Sequence, residues 1–140
     1  MARLVAPLDD PRIPAFVAGL DPVNAAAESA PEFIWRLKSD SGNATDVEFD
    51  GDPLTIVNMS VWTSPEALRD FMYAAPHAAF LRDRRRWFEK MDAPHTCLWW
   101  VPAGHRPTAA EGRERLLHFW EYGATERAFS SSRLFPAPDA

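Results

Sequence analysis

His77 heads a stretch in which Phe80, Leu81, Arg84 and Phe88 recur near one helical stripe, so its imidazole leans toward an apolar side. An imidazole titrates near neutrality, and placed at a helix start beside a pocket it can act as general base or proton shuttle. No Asp, Ser or Cys accompanies it at a motif spacing, so the competing reading is a hydrogen-bonded histidine at a helix boundary. A second group of candidates lies upstream. In the run 54–62, Ile56, Asn58, Ser60 and Trp62 alternate with Val57, Met59 and Val61, which predicts a strand with one apolar face and one mixed face. An amide beside an indole suits the orientation of a phenol or enolate oxygen, and Trp62 is the favoured ligand contact. That face serves equally well against a partner chain, and Trp62 as a core aromatic.

Further aromatics and one loop complete the candidate set. Trp35 and Arg36 fall on opposite faces of a strand at 33–38, so only one of them can look into a given pocket. Arg36 reads as half of a surface ion pair rather than an anion holder. Trp99 and Trp100 take opposite faces of a strand expected at 95–101, and His105 sits in a Gly104-His105-Arg106-Pro107 loop at a pocket mouth, a dimer seam or a simple turn. Arg82, Arg84, Arg85 and Arg86 read as a solvated face with local ion pairs. His95, His105 and His118 lack metal-ligand spacing and Cys97 is the single cysteine, which speaks against a dedicated zinc site and an internal disulfide framework. There is no phosphate-binding glycine loop and no nucleophile elbow.

The elements that must position these residues follow from punctuation and periodicity. A short first strand at 3–7 is closed by Leu8-Asp9-Asp10-Pro11, which offers an acidic helix cap. Ile13, Phe16, Val17 and Leu20 mark the inner face of a helix that Asp21-Pro22 kinks or splits before 23–30. The strand at 33–38 leads into a hairpin through Ser39-Asp40-Ser41-Gly42-Asn43, with 45–49 returning. Thr63 with Glu66, or Ser64 with Pro65, caps the helical stretch that Pro76 interrupts. Thr108 with Glu111 opens a last helix through Tyr122, and Gly123 closes it. The order β-α-β-β-α-β plus one helix is the split pattern of a ferredoxin-like α+β fold, whose uncovered sheet face calls for a dimer or a flanking tail.

The totals agree with one domain: 140 residues, 46% hydrophobic, 25% charged, and 12% aromatic with six tryptophans. A net charge of −5 argues against nucleic acid as the main partner. No run approaches a membrane span and no leader is evident, so the reading is a cytoplasmic protein. Residues 1–123 form the core with its C-terminal helix, and 124–140 an extended tail with a short strand at 128–134.

Several motifs carry a resemblance: Pro7-Leu8-Asp9-Asp10-Pro11-Arg12, Leu20-Asp21-Pro22-Val23-Asn24, Phe33-Ile34-Trp35-Arg36-Leu37, Val57-Asn58-Met59-Ser60-Val61-Trp62, Trp87-Phe88-Glu89, and the run 98–107, LWWVPAGHRP. Together they resemble the DUF3291 family, placed with the dimeric α/β-barrel superfamily. The resemblance implies a ferredoxin-like protomer, a homodimer joined through its sheets, and a small-molecule pocket between sheet and helices. It implies as function a cofactor-free monooxygenase, isomerase or cyclase acting on a small hydrophobic or phenolic, polyketide-like metabolite. Two further readings are a non-catalytic metabolite-binding module and a heme-binding member using His77 or His105. Heme-degrading relatives carry a histidine about ten residues after a strand tryptophan; counted from Trp62, that position holds Met72.

Overall fold

The computed structural model describes residues 1–7, 9–39, 49–74 and 77–138, with the backbone alone at Phe80, Leu81 and Arg85. In chain order the elements are β1 (Ala2–Arg3), α1 (Pro14–Ser29), β2 (Phe33–Arg36), β3 (Thr55–Ile56), β4 (Ser60–Trp62), α2 (Pro65–Tyr73), α3 (His77–Asp83), a 3₁₀ turn (Arg84–Arg86) and α4 (Ala109–Tyr122). This is an α+β chain with short antiparallel pairings, β1 with β3 and β2 with β4. Of the hairpin turn expected at 39–43 and the return expected at 45–49, residues 40–48 lie outside the described residues, as does the interruption at Pro76.

Polar caps mark the starts of α2 and α4 but not of α1. The carboxylate of Asp10 is held by Arg12, accepting from its backbone N–H at 2.9 Å and from Nε at 3.0 Å. It does not cap α1, which starts after Ile13 with no side-chain cap and with Pro14 in its first turn. Of the kink or split expected at Asp21-Pro22, the split does not occur: the helix continues through Pro22. Of the two caps available to α2, Ser64 is used: its Oγ accepts from the Ala67 N–H at 3.1 Å with Pro65 in the first turn. In α4 the Thr108 hydroxyl accepts from the Glu111 N–H at 3.1 Å, and Gly123 at φ +72° closes the other end.

The strand expected over 54–62 is broken. Residues 57–59 leave the regular ladder between β3 and β4, with Val57 and Met59 buried and Asn58 exposed. The strand expected at 95–101 reduces to a bridge between Leu98 and Phe129, whose backbones exchange hydrogen bonds of 2.8 and 2.9 Å. The edge of β1 that such a strand would use is taken by 87–89. Val5 donates to the Trp87 carbonyl and Glu89 to the Arg3 carbonyl, each at 2.8 Å. The reason is packing: Trp87 buries its indole with Leu4, Ala6, Ile13 and Phe16 in the core cluster, which draws its own segment against β1. The tail past α4 is likewise drawn in, because Ala128 and Phe129 are 0% and 1% exposed. Among the described residues no helix is long and apolar enough to cross a membrane.

Candidate functional site

Beside the filled core lies a partly enclosed cavity of about 360 Å³, bounded by α1, the 56–60 segment, the end of α2, the start of α3, residues 95–99 and the first turns of α4. That volume falls within the range of about 300–1,000 Å³ usual for small-molecule sites. Phe16, Leu20, Phe88 and Leu116 supply apolar wall, and Asn58, Ser60, His77, Arg84 and His95 supply polar groups.

His77 is half-buried on this wall, and its Nδ1 lies 2.9 Å from the Met72 carbonyl oxygen. A carbonyl only accepts, so Nδ1 donates, and in the uncharged ring the lone pair is then on Nε2, the arrangement a general base requires. The ring also packs on Phe71, centroids 5.1 Å apart. Phe71 in turn stacks on Trp62 at 5.0 Å. Trp62 is therefore one layer behind the wall: Phe33 meets it edge-on at 5.4 Å, and its Nε1 donates to Ser60 Oγ at 2.8 Å. Expected as the main ligand contact, Trp62 instead backs the wall and orients Ser60, whose own hydroxyl proton stays available to a ligand.

The choice between Trp35 and Arg36 is made by a register shift. Phe33 pairs with Trp62, Trp35 with Val61 and Arg36 with Ser60, so an extra residue is accommodated between Phe33 and Trp35. Such a bulge inverts the alternation. Phe33 and Arg36 now share the face of Ser60 and Trp62, and Trp35 turns to the other side. Arg36 lines the cavity and Trp35 does not. The Arg36 Nε donates to Glu28 at 2.7 Å, the ion pair its composition suggested, although its side chain is only 14% exposed.

Trp99 is on the wall as expected, while Trp100 points its Nε1 to the Phe135 carbonyl at 2.9 Å. The Trp99 Nε1 is buried and has no hydrogen-bond partner among the described residues. What its ring offers the cavity is apolar surface. His105 stands away from the cavity: its backbone N–H closes a turn on Pro102 at 3.0 Å and its Nε2 meets Glu111 at 2.8 Å. Of the two histidines considered as heme ligands, only His77 lies on the wall.

Two wall residues escaped the sequence reading. Arg84 turns inward from the arginine run, and its Nη1 donates to His95 Nε2 at 2.9 Å. A guanidinium has no acceptor, so His95 accepts with Nε2 and carries its proton on Nδ1. Burial, then the Arg84 charge, then the amine of Met1 lower the His95 pKa and keep the ring neutral. Burial likewise pushes the neighbouring Cys97 thiol up to about 11, so it is no nucleophile at neutral pH. The signal for Arg84 was its place seven residues after His77 on one stripe, masked by three arginine neighbours. His95 had no local signal, since only the tertiary fold brings it to Arg84. Among the described residues no cluster of His, Cys, Asp and Glu is arranged to hold a metal ion.

The family model described as Domain of unknown function (DUF3291) matches residues 1–140. No curated protein and no solved structure matches the chain.

Proposed function

The chain belongs to the DUF3291 family, and from that premise we propose that it binds a small, largely apolar metabolite in the cavity and transfers a proton on it through His77. The observation that carries this reading is the 2.9 Å contact of His77 Nδ1 with the Met72 carbonyl on the cavity wall: the carbonyl accepts from Nδ1–H, which leaves Nε2 as the proton-accepting nitrogen of the uncharged ring. Nε2 removes a proton from a carbon or hydroxyl next to a carbonyl. The Ser60 hydroxyl and the Asn58 amide donate to the oxygen on which negative charge develops. Proton removal is the shared first step of an isomerase, a cyclase and a cofactor-free oxygenase, and the reading uses no cofactor. The antiparallel pairings β1–β3 and β2–β4 support a ferredoxin-like protomer, which would complete a dimeric α/β barrel with a second copy.

Native mass spectrometry of the purified protein identifies the retained molecule and the assembly together. A dimer supports the barrel; a monomer removes it. Incubation of the identified molecule with the protein in D₂O then tests the chemistry. Wild type is expected to incorporate deuterium, and His77→Ala to lose about 10²–10⁴-fold in exchange rate while still binding. Unchanged exchange in His77→Ala sinks the role of His77. Binding without any exchange in wild type replaces the enzyme by a metabolite-binding module.

A further inference from the structure

Two arginines reach the cavity wall, and they are answered differently. Arg36 has a carboxylate partner in Glu28 at 2.7 Å. Arg84 is half-buried, and its hydrogen bond goes to the neutral imidazole of His95 at 2.9 Å. An imidazole acceptor orients the guanidinium without neutralising it, and one bond of this kind uses one of five N–H donors. Among the described residues no carboxylate lies within ion-pair distance of Arg84, and none lines the cavity at all. A partly desolvated cation in a chain of net charge −5 is ordinarily paired.

We propose that the cavity takes an anion, a small molecule with an apolar body and one carboxylate, and that Arg84 receives this carboxylate through its planar fork. The proposal rests on the cavity being a small-molecule site and names the class of its ligand. The fork matches a carboxylate with two parallel hydrogen bonds, which a lysine in the same place does not reproduce. His95 positions the fork from behind. Phe16, Leu20 and Phe88 then cover the apolar body, and His77 remains free to act on it.

Isothermal titration calorimetry with matched pairs tests the class: benzoate with benzamide, 2-naphthoate with 2-naphthamide, octanoate with octanamide. In wild type the acid of the best-fitting pair is expected to bind roughly ten- to hundred-fold tighter than its amide. Arg84→Met removes that advantage, bringing acid and amide to similar affinity, and Arg84→Lys keeps only part of it. Equal affinity for acid and amide in wild type overturns the anionic class and leaves the cavity reading standing. An acid preference that survives in Arg84→Met overturns the assignment to Arg84. If no member of any pair binds, the cavity reading falls and the proposal with it. The comparison within wild type, and Arg84→Lys, decide the matter should Arg84→Met not fold.

Discussion

The core cluster and the cavity are neighbours that share α1, yet one is filled and the other is not. On the core side Leu4 and Ile13 are 0% exposed and Trp87 is 5% exposed, with Phe16 set between Trp87 and Phe88 at centroid distances of 5.6 and 5.2 Å. On the cavity side the same helix presents Leu20 and Val23 to a space of about 360 Å³ whose far walls carry His77, Arg84 and His95. Polar groups explain the difference. The core side chains have no hydrogen-bonding demand beyond the Trp87 indole, so they interdigitate at close-packed density. A guanidinium and imidazoles cannot be packed under leucines without losing their solvation, so the space beside them stays open.

Deleting side-chain volume on each side measures this contrast most directly. Leu4→Ala is expected to lower the unfolding free energy by about 2–5 kcal/mol, since a fully enclosed site cannot collapse. Leu68→Ala, on the cavity wall, should cost about half as much or less, because its side chain already lacks neighbours on the open side. Urea denaturation of both variants checks the pair, and equal losses would mean that the cavity wall is packed like the core.

Adding volume reverses the test. A Cβ on Gly112 would come within 2.5 Å of Met59 Sδ, and both residues line the cavity. In a filled core such overpacking costs about 1–3 kcal/mol. Here Met59 can rotate into open space, and alanine gains roughly 1 kcal/mol over glycine inside α4. Gly112→Ala should therefore leave stability within about 1 kcal/mol of wild type and weaken binding of the retained molecule. A large loss of stability would show that Met59 has nowhere to go.

The smallest expected effect is a pH dependence confined to the cavity side. The folded pKa of His95 lies below its ordinary value of 6.5, so its contribution is present above that value and is lost as pH falls through 6.5 toward the folded value. The Met1 amine, also lowered by burial, contributes with the same sign from about pH 8 downward. Asp10 and Asp52 have lowered values and titrate in the acid range beneath this window. Melting temperatures of wild type should fall between pH 7 and 5.5, and His95→Gln, which still accepts from Arg84 but does not titrate, should flatten that slope. Parallel slopes would remove His95 from the account.

How much was legible beforehand can be followed residue by residue. The caps Ser64 and Thr108 and the closing Gly123 are local signals, carried by one hydroxyl or one φ angle, and they held; of the inner face expected at Ile13, Phe16, Val17 and Leu20, Ile13 and Phe16 are buried while Val17 is 42% exposed. His77 and Asn58 line the cavity, Asn58 from the 57–59 break and not from a continuous strand. Trp35 and Trp62 were misplaced, because a single extra residue in β2 inverts a face and a single phenyl ring, Phe71, separates an indole from the space it was expected to line.

What the chain's order of residues settled was the α+β alternation and the caps that begin α2 and α4, since both depend on neighbours within a turn or a strand. Which segment runs beside β1, which arginine leaves its run, and which imidazole meets it were settled only by the tertiary structure. Those choices are competitions between residues far apart in sequence, Trp87 for the Leu4 cluster and His95 for Arg84. Burial and hydrogen-bond satisfaction decide them across the whole fold.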